Sequence, residues 1–394
     1  MTGRPVTDPL SEGSGPVGSV PDDDVDRPTA TTGGAGAGAQ WVDWRAAATI
    51  AARLGSPGPG TTGSEAADLV AELRDAAARA AAPVVEASHL GGLVTPAQAR
   101  GPVPVLVVDR AGWGRANAQS MSAMTARVMP PAPRGVATAT QVAATAEVAG
   151  VLAFLSRKVL GQFDPYGDPT AATGGRLLLA APNVLEVERS LGAVPADFRL
   201  WVCLHELTHA FQFAAAPWLA EHLLERTARL TGSLVGRPGS GDDESTGLGR
   251  RFLTLVTGVA AAVVGRPGAS LVEAALTPRE RARLADVTAV MALLEGHADV
   301  MMDDVGPEVV PSVASLRTSF DARRGSATGW ARVMNRLLGM EAKLAQYRDG
   351  AAFVRAVVDV VGHDGLNVVW TAPEHLPRAA EISEPALWLR RVHG

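Results

Sequence analysis

His205, Glu206 and His209 stand in the order H-E-x-x-H within WVCLHELTHAFQF (201–213), a run otherwise free of charged side chains. On an α-helix, residues at i and i+4 lie about 40° apart around the axis and one turn above each other, so both imidazoles can reach a single ion. A catalytic zinc held by three protein ligands keeps a fourth position for water, and a neighbouring carboxylate can take that water's proton. The motif therefore supplies two metal ligands, His205 and His209, and a general base, Glu206.

Such a zinc needs a third protein ligand. Residues 277–280 (TPRE) form a capping box with Pro at the first helical position, followed by apolar periodicity through Leu284, Val287, Met291 and Leu294. The helix so signed carries EGHAD at 295–299. Glu295 and Asp299 are spaced i, i+4 on one face, which suits Glu295 as ligand and Asp299 as hydrogen-bond partner to the outer nitrogen of a ligand histidine. His297, about 200° around the helix from Glu295, is the alternative ligand. Gly296 costs about 1 kcal/mol relative to Ala inside a helix and calls for a reason, such as close helix approach at a metal. Downstream, Tyr347 and Arg348 are candidates to donate a hydrogen bond to the oxyanion formed when water attacks a carbonyl, against a packed helix end as the plainer reading. Cys203, two positions before His205, faces elsewhere on the helix and reads as a small buried hydrophobe. No G-x-S-x-G elbow occurs.

The elements that must hold these groups are mainly helical, with a small sheet. Helical patterns cover 41–53 and 64–82, and the motif helix begins at Pro195 with Asp197 in its first turn. Strand-like apolar runs occupy 103–109 and 176–183. The second lies just upstream of the motif helix and is the candidate edge for holding an extended substrate by β-augmentation, with a plain core strand as the competing reading. Arg110, Trp113 and Asn117 after the first run either shape a cleft or stitch strand to helix. Residues 1–40, rich in Gly, Pro, Ser, Thr and Asp, read as a disordered tail, 41–394 as one domain, and 236–247 as a mobile polar loop.

Composition narrows the function class. The 394 residues are 47% hydrophobic, ample for a core, and the net charge of −5 with no basic stripe gives a nucleic-acid partner no support. Cys203 is the only cysteine and the N-terminus lacks a secretory pattern, so the chain reads as cytoplasmic. The most apolar window, 252–264, is shorter than the ~20 residues of a membrane span and reads as a buried helix.

Several segments together resemble a known family, the zincin-like metallopeptidases of actinobacteria and relatives, sometimes labelled as associated with deazaflavin cofactor biosynthesis. They are DRAGW (109–113) with Asn117, GQFDP (161–165), APN (181–183), FRLWV (198–202), the H-E-x-x-H helix through Phe213, PW (217–218) and EGHAD (295–299). Further on come QYRDG (346–350), Asn367 with Trp370, and LP (376–377). The Glu295 and Asp299 pair is similar to the E-x-x-x-D arrangement of gluzincins. The resemblance implies a mainly helical (α+β) zincin-like domain with one Zn2+ per chain, and leaves the substrate and oligomeric state open. The expected function is a zinc hydrolase acting on a peptide. The alternatives are a small-molecule amidase in cofactor metabolism and a noncatalytic scaffold of the same fold. The retained Glu206 and the lack of a fourth good ligand argue against the scaffold.

Overall fold

Within Arg176–Ala180 the residues Leu177 to Ala180 are apolar at successive positions, and because neighbours on a strand point to opposite faces, such a strand must be covered on both. The computed structural model describes residues 40–129, 132, 138–167, 175–235, 277–325 and 344–394, and within these only the backbone of 138, 230–235, 320–325 and 344–348. In it this strand, β3, is the middle of a three-stranded sheet ordered β1-β3-β2. Strand β1 (Val105–Val108) pairs with it in parallel, Leu106 opposite Leu178, and β2 (Gly161–Asp164) antiparallel, Gln162 opposite Leu178. Of the two readings of the 176–183 run, substrate edge and plain core strand, the structure has the core strand. Its unbroken hydrophobicity is the physical sign of a strand buried on both faces. The edge strand on the antiparallel side is β2.

The two faces of β3 feed two cores. Leu178 joins Trp41, Trp113, Ala144 and Leu152 under helices α1 (Trp44–Leu54), α3 (Arg110–Val128) and α4 (Thr138–Leu155). Leu177 and Leu179 join the larger core, which is built by α2 (Gly63–Ser88), α5 (Ala181–Leu191), α6 (Pro195–Ala215) and the C-terminal half of the chain. That half contains α7 (Leu219–Val235), α8 (Pro278–Asp304), α9 (Val313–Gly325) and α10 (Leu344–Leu366), the last broken at Gly362, where φ is +70°.

Helix α6 is central. Pro195 opens it, Asp197 in its first turn accepts the Ser312 N–H at 2.8 Å, and α2, α8 and β2 pack around it. It is apolar on nearly all sides because it is surrounded, with Phe198, Cys203 and Phe211 fully buried. Each such phenylalanine contributes about 1.5–3 kcal/mol of burial free energy. Arg199 ties the helix to its neighbours through Glu188, Nε to Oε2 at 2.8 Å and Nη2 to Oε1 at 3.0 Å, and through Glu72.

Helix α8 begins as its sequence requires. Thr277 N–H donates to Glu280 Oε2 at 2.7 Å while Glu280 N–H donates to Thr277 Oγ1 at 3.3 Å. Among the described residues no helix is long and apolar enough to cross a membrane. The expected tail, the loop at 236–247 and the apolar window at 252–264 lie outside the described residues, apart from Gln40.

Candidate metal centre

Helix α6 presents His205 and His209 on one face, their rings 4.8 Å apart and nearly perpendicular. Their Nε2 atoms converge to 3.2 Å. From α8, Glu295 reaches both, Oε2 lying 3.6 Å from His205 Nε2 and Oε1 lying 3.7 Å from His209 Nε2. One ligand atom from each of the three residues lies within 4.8 Å of the others. Donors about 2.0–2.1 Å from one tetrahedral zinc stand roughly 3.3 Å apart, so this donor set and its spacing fit that ion. The groups could coordinate a metal with little rearrangement.

Helix α8 is brought to this distance by a crossing without side chains. A Cβ on Gly296 would lie 2.2 Å from the carbonyl carbon of Gly350, and one on Gly350 would lie 2.1 Å from the carbonyl oxygen of Ala292. The close approach expected at Gly296 is therefore between α8 and α10, one residue along from Glu295.

Glu206 points from α6 toward the edge strand. A Cβ on Gly161 would lie 2.5 Å from Glu206 Cγ and 2.9 Å from its Oε1, so the absence of a side chain there leaves space for the carboxyl. The Phe163 N–H donates to that carboxyl. The register explains why this N–H is available. Ala180 N–H bonds Leu160 O at 2.8 Å, so in an antiparallel ladder Gln162 and Asp164 exchange bonds with β3 while Gly161 and Phe163 turn their backbone groups outward. The far end of β2 is pinned by Asp164, whose Oδ2 accepts from Ser120 Oγ at 2.5 Å and Arg176 Nε at 3.0 Å. Gln162 Nε2 donates to Asn117 Oδ1 at 2.9 Å, tying β2 to α3.

The electrostatics separate the groups. Burial lifts the Glu206 carboxyl to about 7, with Glu295 adding to the rise and His205 and the Phe163 N–H opposing it. Burial lowers His209. For His205 burial also acts downward, but its hydrogen bond to the Glu295 carboxylate and the charges of Glu206, Glu295 and Asp299 outweigh it and the net direction is up.

A sequence profile described as zincin-like metallopeptidase matches residues 42–389. The chain belongs to this family. No curated protein matches the chain. Among solved structures, it is similar to a protein of Chloroflexus aurantiacus described as a candidate hydrolase with a novel fold, at 28% identity over 89% of this chain and 98% of that one, with a TM-score of 0.57.

In this member of the zincin-like family the other expected site residues are distributed as follows. Asp299 Oδ1 accepts from Arg317 Nη1 at 2.6 Å, and its charge acts on His205. His205 Nδ1 faces Met302 Sδ at 3.2 Å. His297 is fully buried, its Nδ1 3.0 Å from Gln212 Nε2 and its ring 5.4 Å from that of Trp370, and it is not a member of the three-residue cluster. Burial pushes it down to about 3. Tyr347 and Arg348 lie in the first turns of α10, and their side chains lie outside the described residues. Arg110 bonds Asn183 Oδ1 at 2.7 Å and Ser56 O at 3.2 Å, joining α3 to α5 and to the loop before α2. His222 Nε2 accepts from Arg226 Nε at 2.7 Å, and buried Cys203, pushed up to about 12 by burial, faces Leu73 O.

Three residues at the site, Gly161, Phe163 and Gln212, lie in segments that carry the family resemblance but receive no role from the sequence. Gly161 and Phe163 belong to a strand too short and polar to be seen alone. Gln212 stands i+3 from His209, with Oε1 3.0 Å from His209 Nδ1, and a fully buried amide in an uncharged helix was a usable signal.

Proposed function

We propose that this chain is a zinc-dependent peptidase, with His205, His209 and Glu295 holding one Zn2+ and Glu206 as general base. The observation that carries the reading is the place of the Glu206 carboxyl, against Gly161 and Phe163 of the edge strand β2 and beside the His205, His209 and Glu295 cluster. Zinc bound there would polarise a carbonyl and lower the pKa of water. Glu206 would take a proton from the attacking water and return it to the leaving amine. The Phe163 N–H holds the carboxylate in place while it is charged. The outward N–H and C=O of Gly161 and the C=O of Phe163 would offer an extended peptide main-chain hydrogen bonds beside the base, which favours a peptide over a small amide. In this reading Glu295 is the third ligand, since its carboxylate converges with His205 and His209 while His297 lies outside that cluster.

The test is incubation of zinc-loaded wild type and Glu206→Gln with a complex peptide mixture, new termini being read by mass spectrometry. Wild type should generate termini that a zinc chelator abolishes, and Glu206→Gln should bind equal zinc and cleave about 10²–10⁴-fold more slowly. Equal cleavage by the variant would overturn the role of Glu206. Full zinc with no peptide cleavage by wild type would move the function to a small amide or to scaffolding.

A further inference from the structure

The side chain of Gln212 lies behind the metal cluster, and its hydrogen bonds form a chain in which every donor and acceptor is fixed. Gln212 is fully buried. One of its terminal atoms lies 2.9 Å from the carbonyl oxygen of Leu294, and a carbonyl can only accept, so that atom is the amide nitrogen, Nε2. The amide oxygen then faces His209 Nδ1 at 3.0 Å, and as an oxygen without hydrogen it can only accept. His209 must therefore carry its proton on Nδ1, which leaves the lone pair of Nε2 directed at His205 and Glu295. The second hydrogen of the amide points to His297 Nδ1 at 3.0 Å, which must accept. His297 is fully buried, and with both amide hydrogens of Gln212 assigned its Nδ1 is the acceptor of this pair.

We propose that Gln212 is a positioning residue that sets the tautomer and ring orientation of His209 for metal binding, with His297 and the Leu294 carbonyl holding the amide in the one orientation that does so. The inference rests on the zinc reading above and adds a role for a residue outside the ligand set. It also gives His297 a function that is not ligation. The Leu294 carbonyl precedes Glu295 by one residue, so the same amide links the ligand on α6 to the stretch of α8 that carries the third ligand. In zinc sites the partner on the outer nitrogen of a ligand histidine is typically worth 10–100-fold in metal affinity.

The experiment compares wild type, Gln212→Met and Gln212→Glu as full-length protein. Methionine keeps length and apolar volume but removes the acceptor and both donors. Glutamate keeps an oxygen to accept from His209 Nδ1. Zinc affinity is measured by competition with a chromophoric chelator, and histidine tautomers by long-range ¹H–¹⁵N correlation on the metal-free proteins. Gln212→Met should bind zinc roughly 10–100-fold more weakly and lose the Nδ1–H form of His209 as the single tautomer. Gln212→Glu should recover most of both, although it is less stable because its second oxygen faces the Leu294 carbonyl. Wild-type affinity and an unchanged His209 tautomer in a folded Gln212→Met would overturn the proposal and leave the zinc reading standing. A wild type that binds no zinc would overturn the zinc reading, while the tautomer measurement would still test the hydrogen-bond chain. Equal loss in Gln212→Glu and Gln212→Met would show that the acceptor on His209 is not what matters, and would also overturn it.

Discussion

Replacing Gly296 with Ala will force α8 and α10 apart and weaken zinc binding at the adjacent Glu295. The added Cβ would sit 2.2 Å from the Gly350 carbonyl carbon and 2.5 Å from both Gly350 O and Ala351 N, where ordinary contact begins at 3.4 Å. All three atoms are backbone and cannot rotate away, so the helices must separate by roughly 1 Å. Overpacking costs typically about 1–3 kcal/mol, and a backbone partner places this case at the upper end. Alanine returns about 1 kcal/mol through its greater helix propensity, leaving a net loss near 2 kcal/mol. The internal control is Gly150→Ala on α4, where a Cβ meets nothing within 4 Å, so only the propensity gain of up to about 1 kcal/mol remains. The two variants should thus move denaturant midpoints in opposite directions. Displacing Glu295 by the same distance should weaken zinc on the order of tenfold, read by chelator competition. A Gly296→Ala protein as stable as Gly150→Ala, with wild-type zinc affinity, would refute the argument that this crossing sets the position of the ligand.

Gly161→Ala meets a side chain instead of backbone, its Cβ 2.5 Å from Glu206 Cγ, so the carboxyl is pushed from its place rather than the strand from the sheet. Zinc content should stay at the wild-type level while peptide cleavage falls about 10²-fold, as expected for a group misplaced by about 1 Å; unimpaired cleavage would separate Gly161 from the base. Tyr166, whose hydroxyl donates to Ala220 O at 2.9 Å, is pushed up to about 12 mainly by burial, with the charges of Glu221 and Asp164 acting in the same direction and Arg127 against. The folded protein thus holds this proton more tightly than the unfolded chain. Its contribution, about 2–3 kcal/mol, is complete below pH 10 and is lost as pH rises through 12. Tyr166→Phe should make the stability loss between pH 10 and 12 shallower and remove one tyrosinate step near pH 12 from the ultraviolet titration; a wild-type stability profile in the variant would refute this.

The parts of the site that could be read directly from sequence are those fixed by local periodicity. The i, i+4 spacing of His205 and His209 and the reciprocal Thr277 and Glu280 cap are properties of one helix each, and both appear as the spacing requires. Glu295 was legible for the same reason, since a carboxylate next to an unexplained helical glycine marks a place where something comes close. What could not be read depends on chain distant in sequence. GQFD at 161–164 becomes a strand because β3 lies beside it, and Gly161 acquires a purpose only when Glu206 occupies the space above it. For 176–183 the two readings, substrate edge and plain core strand, are separated by hydrophobic pattern, since the unbroken apolar run Leu177 to Ala180 signals a strand covered on both faces.

Each of the two acidic groups at this centre is thus positioned by a glycine contributed by another element. Glu295 approaches the histidines because α8 and α10 cross at Gly296 and Gly350, and Glu206 stands against β2 because Gly161 has no side chain. The arrangement has an electrostatic consequence. Burial in that tight space raises Glu206, and the neighbouring negative charge of Glu295 raises it further, both favouring its protonated form. His205 and the outward N–H of Phe163 act against this, and the balance falls near 7. The Phe163 N–H faces outward only because the β2 register places Gln162 and Asp164 against β3. Strand register thereby helps set the proton affinity of a group on a helix. A one-residue slip of β2 would carry Phe163 N–H to the β3 side and put Gln162 in place of Gly161, removing the donor and closing the space together.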